Sequence, residues 1–199
     1  LARLRERGPG PAHRAHYADL SSMAETKRVA AEIAAAEPRV DVLINNAGAL
    51  FNTRRVTPEG LELTFALNHM SYFLMTRGLR ERLLASAPAR VVNTASGAHR
   101  RVGALDFGGL QMERGYRGVG AFSRSELCNI LYTREQARRL AGTGVTANSL
   151  HPGFVATRFG DASGGFFAYV VRAAKLISAI SLEKGAEALV YLASSPDVA

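Results

Sequence analysis

The sequence is short of cysteine, of long apolar runs, of clustered metal ligands and of dense positive charge, and each shortage closes off a class of protein. Cys128 is the only cysteine, so no internal disulfide can form, and a reducing cytoplasm fits better than secretion. No apolar run reaches the roughly 20 residues that a membrane-crossing helix needs. The opening Leu1-Ala2-Arg3-Leu4-Arg5-Glu6-Arg7-Gly8 lacks the apolar stretch of a signal peptide and reads as the tail of an amphipathic helix already under way. The five histidines are spread out, and His13 with His16 has no carboxylate or thiol nearby in sequence, so no metal site is expected. The formal charge of +8 is scattered and mostly arginine, with neither interleaved aromatics nor a helix-turn-helix, which points to a solvated surface and not to a nucleic-acid partner.

What is present is enough for one core. The 199 residues, 47% of them hydrophobic, read as a single domain over 1–199, or most of one. Its organising stretch is Asp41-Val42-Leu43-Ile44-Asn45-Asn46-Ala47-Gly48, an apolar run stopped by two amides and a small-small pair. Val42, Leu43 and Ile44 follow one another without polar alternation, as in a parallel strand buried on both faces. Ligands in open α/β sheets settle beyond the carboxyl ends of strands, where Asn45 and Asn46 stand; taken alone, the tetrapeptide serves equally as a structural turn. Arg90 to Gly97 holds another short apolar strand, ending in Ser96, and Val145 to Leu150 a third, closed by His151-Pro152-Gly153. Ala12 to Asp19 reads weakly as another.

Helices separate these strands. Ser22-Met23-Ala24-Glu25 has the form of a capping box and opens a helix that Pro38 stops. Thr57-Pro58 predicts a second helix start, with the helix running toward Ala85 and Pro88 as its stop. A third helix is expected from about Phe122 to Leu140, and a last one from Ser181 to Pro196. Residues 166–177 are strongly apolar with only two cations, and their apolar positions recur at helical spacing, so a core-packing or lid helix is favoured over a membrane-surface one. The alternation predicts an α/β fold, a Rossmann-like and mainly parallel sheet flanked by helices on both faces.

The order of motifs resembles the short-chain dehydrogenase/reductase superfamily, and its retinol-dehydrogenase-like members most closely. The residues that carry the resemblance are Asp19-Leu20, Asn45-Asn46-Ala47-Gly48, Asn68-His69, Ser96, Arg134-Glu135 with Arg138-Arg139-Leu140, and His151-Pro152-Gly153 with Thr157. The resemblance implies NAD or NADP as cofactor and a lipophilic alcohol or carbonyl as substrate. It places Asp19 and Leu20 at the adenine, Asn46, Ala47 and Gly48 along the adenosine ribose toward the nicotinamide, and Val155 and Thr157 at the carboxamide. Ser96 would hold the substrate oxygen and Asn68 a water of the proton relay. Association of copies is expected through the helices that begin at Pro58 and Phe122.

Two features depart from that pattern. The family's proton donor is a tyrosine followed four residues later by a lysine; the matching positions are Phe122, which has no proton to give, and Glu126, expected to bring negative charge where the cation would hold the nicotinamide ribose. The family's first strand and TGxxxGxG turn have no counterpart either, and its last strand is missing, so the fold is expected to be incomplete at both ends. Two readings stay open: an oxidoreductase by descent with impaired or absent activity, and a non-catalytic pseudoenzyme or interaction scaffold. The choice between NAD and NADP is not legible, because the residues that read the adenosine 2′ position follow the absent second strand.

Overall fold

A computed structural model describes residues 13–155 and 179–198. Three parallel strands, β1 (Val42–Asn45), β2 (Ala89–Thr94) and β3 (Val145–Leu150), lie in that order. The helices are α1 (Met23–Ala36), α2 (residues 63–85), α3 (Gly118–Leu140) and α4 (Leu182–Ser194), with short 3₁₀ turns at Gly97–Arg101, Phe107–Gly109 and Pro196–Val198. Parallel pairing puts Asn45–Asn46 and the Ser96 turn at the same end of the sheet, as a shared crevice requires.

Side chains alternate across a strand, so neighbouring residues of β2 report on opposite layers. Val91 is fully buried in a cluster with Leu79 and Leu83 of α2, Leu140 of α3, and Val145 and Ala147 of β3. Arg90 points the other way, and its guanidinium donates to Leu192 O and Ser195 O at 3.1 and 2.7 Å, holding the last carbonyls of α4. Helices therefore flank both faces. Val92 and Val145 are buried as expected, but Val42 and Ile44 are 38% and 40% exposed and Leu150 is only half-buried. Among the described residues β1 pairs on one side only, so it is an edge strand, and the expectation of burial on both faces fails there.

Two element boundaries also differ from expectation. Residues 13–19 form no strand; with no strand beside them, they are tied to α1 by side chains, Arg14 donating to Ala36 O at 2.7 Å and His16 pairing with Glu32 at 2.8 Å. Thr57-Pro58 opens a turn and not a helix. Gly60 N–H donates to Thr57 O at 2.9 Å with Gly60 at φ +83°, and Val56 bridges Glu62 in antiparallel sense, so turn chemistry overrides the helix-start signal. Helix α2 begins five residues after Pro58, at Leu63, where the buried Glu62 carboxylate accepts from Thr64 N and Phe65 N, both at 2.8 Å. Helix α3 starts earlier than expected, at Gly118, where a Cβ would lie 2.5 Å from Phe51 O; the missing side chain lets the helix start sit against that loop.

Ser22 does cap α1, accepting from Glu25 N, but the reciprocal carboxylate is distant in sequence. Glu59 accepts from Ser22 Oγ at 3.1 Å and Met23 N at 2.9 Å, while Glu25 pairs with Arg28. The Glu59 backbone N–H first, then the Thr57 hydroxyl, the Ala24 N–H and the Ser22 hydroxyl, hold the Glu59 carboxyl down at about 2. A carboxyl depressed in the folded chain stabilises it above the ordinary glutamate pKa and loses that contribution as pH falls through 2. Glu59→Gln is therefore expected to lower the melting temperature at pH 7, with the gap to the parent closing near pH 2, as thermal unfolding across that range would show.

Candidate functional site

The crevice end of the sheet is built on buried amides. Asn45 Nδ2 donates to Asn93 Oδ1 at 2.8 Å and to Thr76 Oγ1 at 3.0 Å; Asn93 Nδ2 donates to Gln136 Oε1 at 3.0 Å and to Thr133 Oγ1 at 2.9 Å. Gln136 Nε2 donates to Tyr132 OH at 2.8 Å, so one chain of side-chain bonds runs across α2, β1, β2 and α3. The amides of Asn45, Asn93 and Gln136 all find partners and tie the strand ends to α2 and α3. Of these residues the sequence marks Asn45, at the end of its strand; the signal for the others is Asn129, Thr133 and Gln136 at helical spacing on α3.

Above that layer Asn46, Ala47 and Gly48 are exposed, and Asn46 Oδ1 accepts from Thr94 Oγ1 at 3.0 Å. Asn68 is 1% exposed and clamps the next residue of the turn: its Oδ1 accepts from Ala49 N at 2.9 Å and its Nδ2 donates to Ala49 O at 3.0 Å and to Ser125 Oγ at 3.1 Å. Ser125 Oγ in turn donates to Phe122 O at 2.8 Å, so Asn68 and the start of α3 are joined. At Gly48 a Cβ would stand 3.5 Å from Asn68 Oδ1, an ordinary contact, so close approach does not demand glycine there.

Ser96 is half-buried and caps the Gly97–Arg101 turn, its Oγ accepting from Ala98 N at 3.2 Å. Helix α3 packs against that turn. Phe122 and Glu126 are both buried on α3, at 9% and 5% exposure. Burial pushes the Glu126 carboxyl up to about 8, so it is protonated at neutral pH and the negative charge expected from the sequence is absent there. Tyr72 of α2, also buried, has its phenol pushed far up by desolvation first and by Glu126 second. The sequence offers six tyrosines, and Tyr116 is held away from proton chemistry: its OH donates to Phe51 O at 2.9 Å and lies 3.1 Å from Glu62 Oε1, with its pKa up at about 12 through burial.

Asp19 and Leu20, expected at the adenine, form the entry to α1. Asp19 is exposed and accepts from Ser21 N and Oγ at 2.9 and 2.7 Å, bonds that lower its pKa and turn the chain into α1. Leu20 O accepts from Thr26 Oγ1 at 3.4 Å. Val155 pairs with Ile180 and packs on Gly185 of α4. Thr157 and the apolar segment 166–177 lie outside the described residues.

A dinucleotide fits this surface in part. Exposed backbone at 46–48 beyond the strand ends suits a ribose, but a diphosphate wants free N–H groups at a helix N-terminus. Carboxylates already occupy those of α1 and α2, through Glu59 and Glu62. Among the described residues no group of metal-ligating side chains occurs, and no helix is long and apolar enough to cross a membrane.

Residues 2–164 match the sequence profile described as short chain dehydrogenase. Retinol dehydrogenase 14 of Mus musculus is 40% identical over 186 residues, covering 90% of this chain and 54% of the relative. Retinol dehydrogenase 13 of Homo sapiens is 42% identical over 151 residues, covering 75% and 45%. The chain thus spans about half the length of these relatives. Among solved structures, a Beutenbergia cavernae protein with NADP bound at low occupancy has a TM-score of 0.75 at 29% identity, covering 99% of this chain and 75% of that one. The Pseudomonas aeruginosa RhlG/NADP complex has a TM-score of 0.66 at 26% identity, covering 91% and 70%. With its parallel sheet, its Asn45–Gly48 turn and its Asn68 clamp, this chain belongs to the short chain dehydrogenase family, as a retinol-dehydrogenase-like member.

Proposed function

We propose that the protein descends from NAD(P)-dependent enzymes that interconvert lipophilic alcohols and carbonyls, and that turnover by this chain is impaired or absent. The observation that carries the reading is the burial of Phe122 and of protonated Glu126 on α3, the two positions that the resemblance matches to the family's tyrosine and lysine. A phenol beside a cation can exchange a proton near neutral pH, whereas a phenyl ring holds no transferable proton. In the same reading Ser96 faces the substrate oxygen, Asn46, Ala47 and Gly48 line the nucleotide path, Val155 and Thr157 stand at the nicotinamide end, and Asp19 and Leu20 at the adenine. The lone buried Cys128 suits a reducing, cytoplasmic setting.

A second reading, a non-catalytic scaffold, is favoured by the outer face of α2 and α3. Leu131 of α3 is 40% exposed there, beside the half-buried rings of Phe73 and Tyr132 with centroids 5.6 Å apart, a surface suited to pairing two copies. Fluorescence titration with NADH and NADPH tests the common premise. The 199-residue chain is expected to bind either nucleotide no better than about 1 mM, the weak end of usual enzyme affinities. Saturation at micromolar nucleotide would overturn the reading.

A further inference from the structure

Helix α2 carries a π turn at Ala66–Met70, in which Ser71 N–H reaches back five residues to Ala66 O. Such a turn shifts the backbone ladder by one residue and leaves carbonyls to be satisfied from outside. Two side chains do this: Ser71 Oγ donates to Leu67 O, and Asn129 Nδ2, from α3, donates to Asn68 O at 2.9 Å. Asn129 is 1% exposed, and its Oδ1 lies 3.0 Å from His69 Nδ1.

That geometry fixes a proton. Asn129 spends an N–H on Asn68 O, so its oxygen must face His69, and the imidazole nitrogen that meets an amide oxygen must be a donor. The ring is wedged between Phe65, 5.3 Å away and tilted, and Tyr132, edge-on at 5.8 Å, so it has little room to flip. We infer that Asn129 is a positioning residue held in its orientation by the Nδ1–H tautomer of His69, and that it secures the π turn from which Asn68 clamps Ala49 and the 46–48 turn. The importance of that turn rests on the reading of the crevice given above, but the clamp itself does not. Burial of His69 lowers its pKa, so above pH 7 the ring is neutral and has a definite tautomer.

Two measurements test this on the intact chain without cofactor. Nitrogen-15 spectra of the imidazoles at pH 8, with His69 assigned through His69→Gln, are expected to show the proton on Nδ1; a neutral ring carrying it on Nε2 overturns the inference. Amide exchange at Ala49, whose N–H is bonded to Asn68 Oδ1, reads the clamp. Asn129→Leu and His69→Phe are expected to speed it roughly tenfold while β2 amides stay protected, and His69→Gln, which can still donate to Asn129, should restore protection. Unchanged Ala49 exchange in both disruptive variants, or equal loss in His69→Phe and His69→Gln, overturns it. If Asn129→Leu does not fold, the tautomer and the His69 pair decide alone. Nucleotide binding enters neither readout, so failure here is distinct from failure of the proposed function.

Discussion

Glu126→Gln is expected to make the protein more stable at pH 8 to 9 than the parent, with the advantage vanishing near pH 4.5. The Glu126 carboxyl is held at about 8 in the folded chain by burial, against an ordinary value of 4.5. Its protonated form is therefore favoured by folding, and the stability it contributes is fully present below pH 4.5 and drains away as pH rises through 8. The slope is about 1.4 kcal/mol per pH unit inside that window, so the loss reaches a few kcal/mol. Glutamine keeps the shape and hydrogen-bonding capacity of the neutral acid without a charge to bury. Urea unfolding at pH 5, 7 and 9 for both proteins measures it. A difference that does not grow with pH would mean that Glu126 finds solvent or a cation when it ionises, and the argument from burial would fall.

The larger effect concerns catalysis. Phe122→Tyr with Glu126→Lys, made in a version that also carries an upstream strand and TGxxxGxG turn, is expected to gain NAD(P)-dependent oxidation or reduction of lipophilic alcohols and carbonyls. Turnover should exceed that of the same extended chain with Phe122 and Glu126 by about 10² to 10⁴, the usual worth of a positioned acid/base. In the 199-residue chain the double substitution should give little, because no TGxxxGxG turn is there to cradle the diphosphate with backbone N–H groups at a helix N-terminus. Phe122→Tyr alone should also recover little. At neutral pH the obstacle is not repulsion by Glu126, which is protonated there, but burial of the new phenol without a cation to draw its pKa down. A cofactor-absorbance assay over a panel of such compounds decides; vigorous turnover by the parent chain would show that another group gives the proton.

The parallel sheet, its shared crevice end and most of the helices could be read from apolar runs and breakers alone, since Val91, Val92 and Val145 are buried whatever surrounds them. The failures lie where tertiary context outweighs a local signal. Thr57-Pro58 satisfies the rules for a helix start and for a turn equally, and Gly60 decides for the turn. Residues 13–19 could extend, but a strand needs a neighbour, and α1 offers only side chains. Val42 and Ile44 look like core because the sequence cannot show that, among the described residues, β1 has a neighbour on one side only. At the site, the sequence named Asn68, Ser96, Phe122 and Glu126, but it could not show that Asn68 spends its amide on Ala49, that Glu126 is neutral, or that Asn93 and Gln136 underpin the strand ends. Those are facts of distance and desolvation.

The pairing of Asn45 with Asn93 carries a consequence for how the chain finds its fold. The two residues are register partners in β1 and β2, and both turn toward α2 and α3, where Thr76, Thr133 and Gln136 wait for their amides. If β1 slid by a single residue, Asn45 would swing to the opposite face, and its donors and those it serves would be stranded at about 1 to 3 kcal/mol each. Apolar partners such as Leu43 and Val91 would tolerate the slip far better, because greasy contacts are interchangeable. The amides thus act as a proofreading key for strand alignment, rejecting near-miss pairings that a wholly hydrophobic sheet would accept, and a chain with leucine at both positions should populate misaligned compact states on refolding.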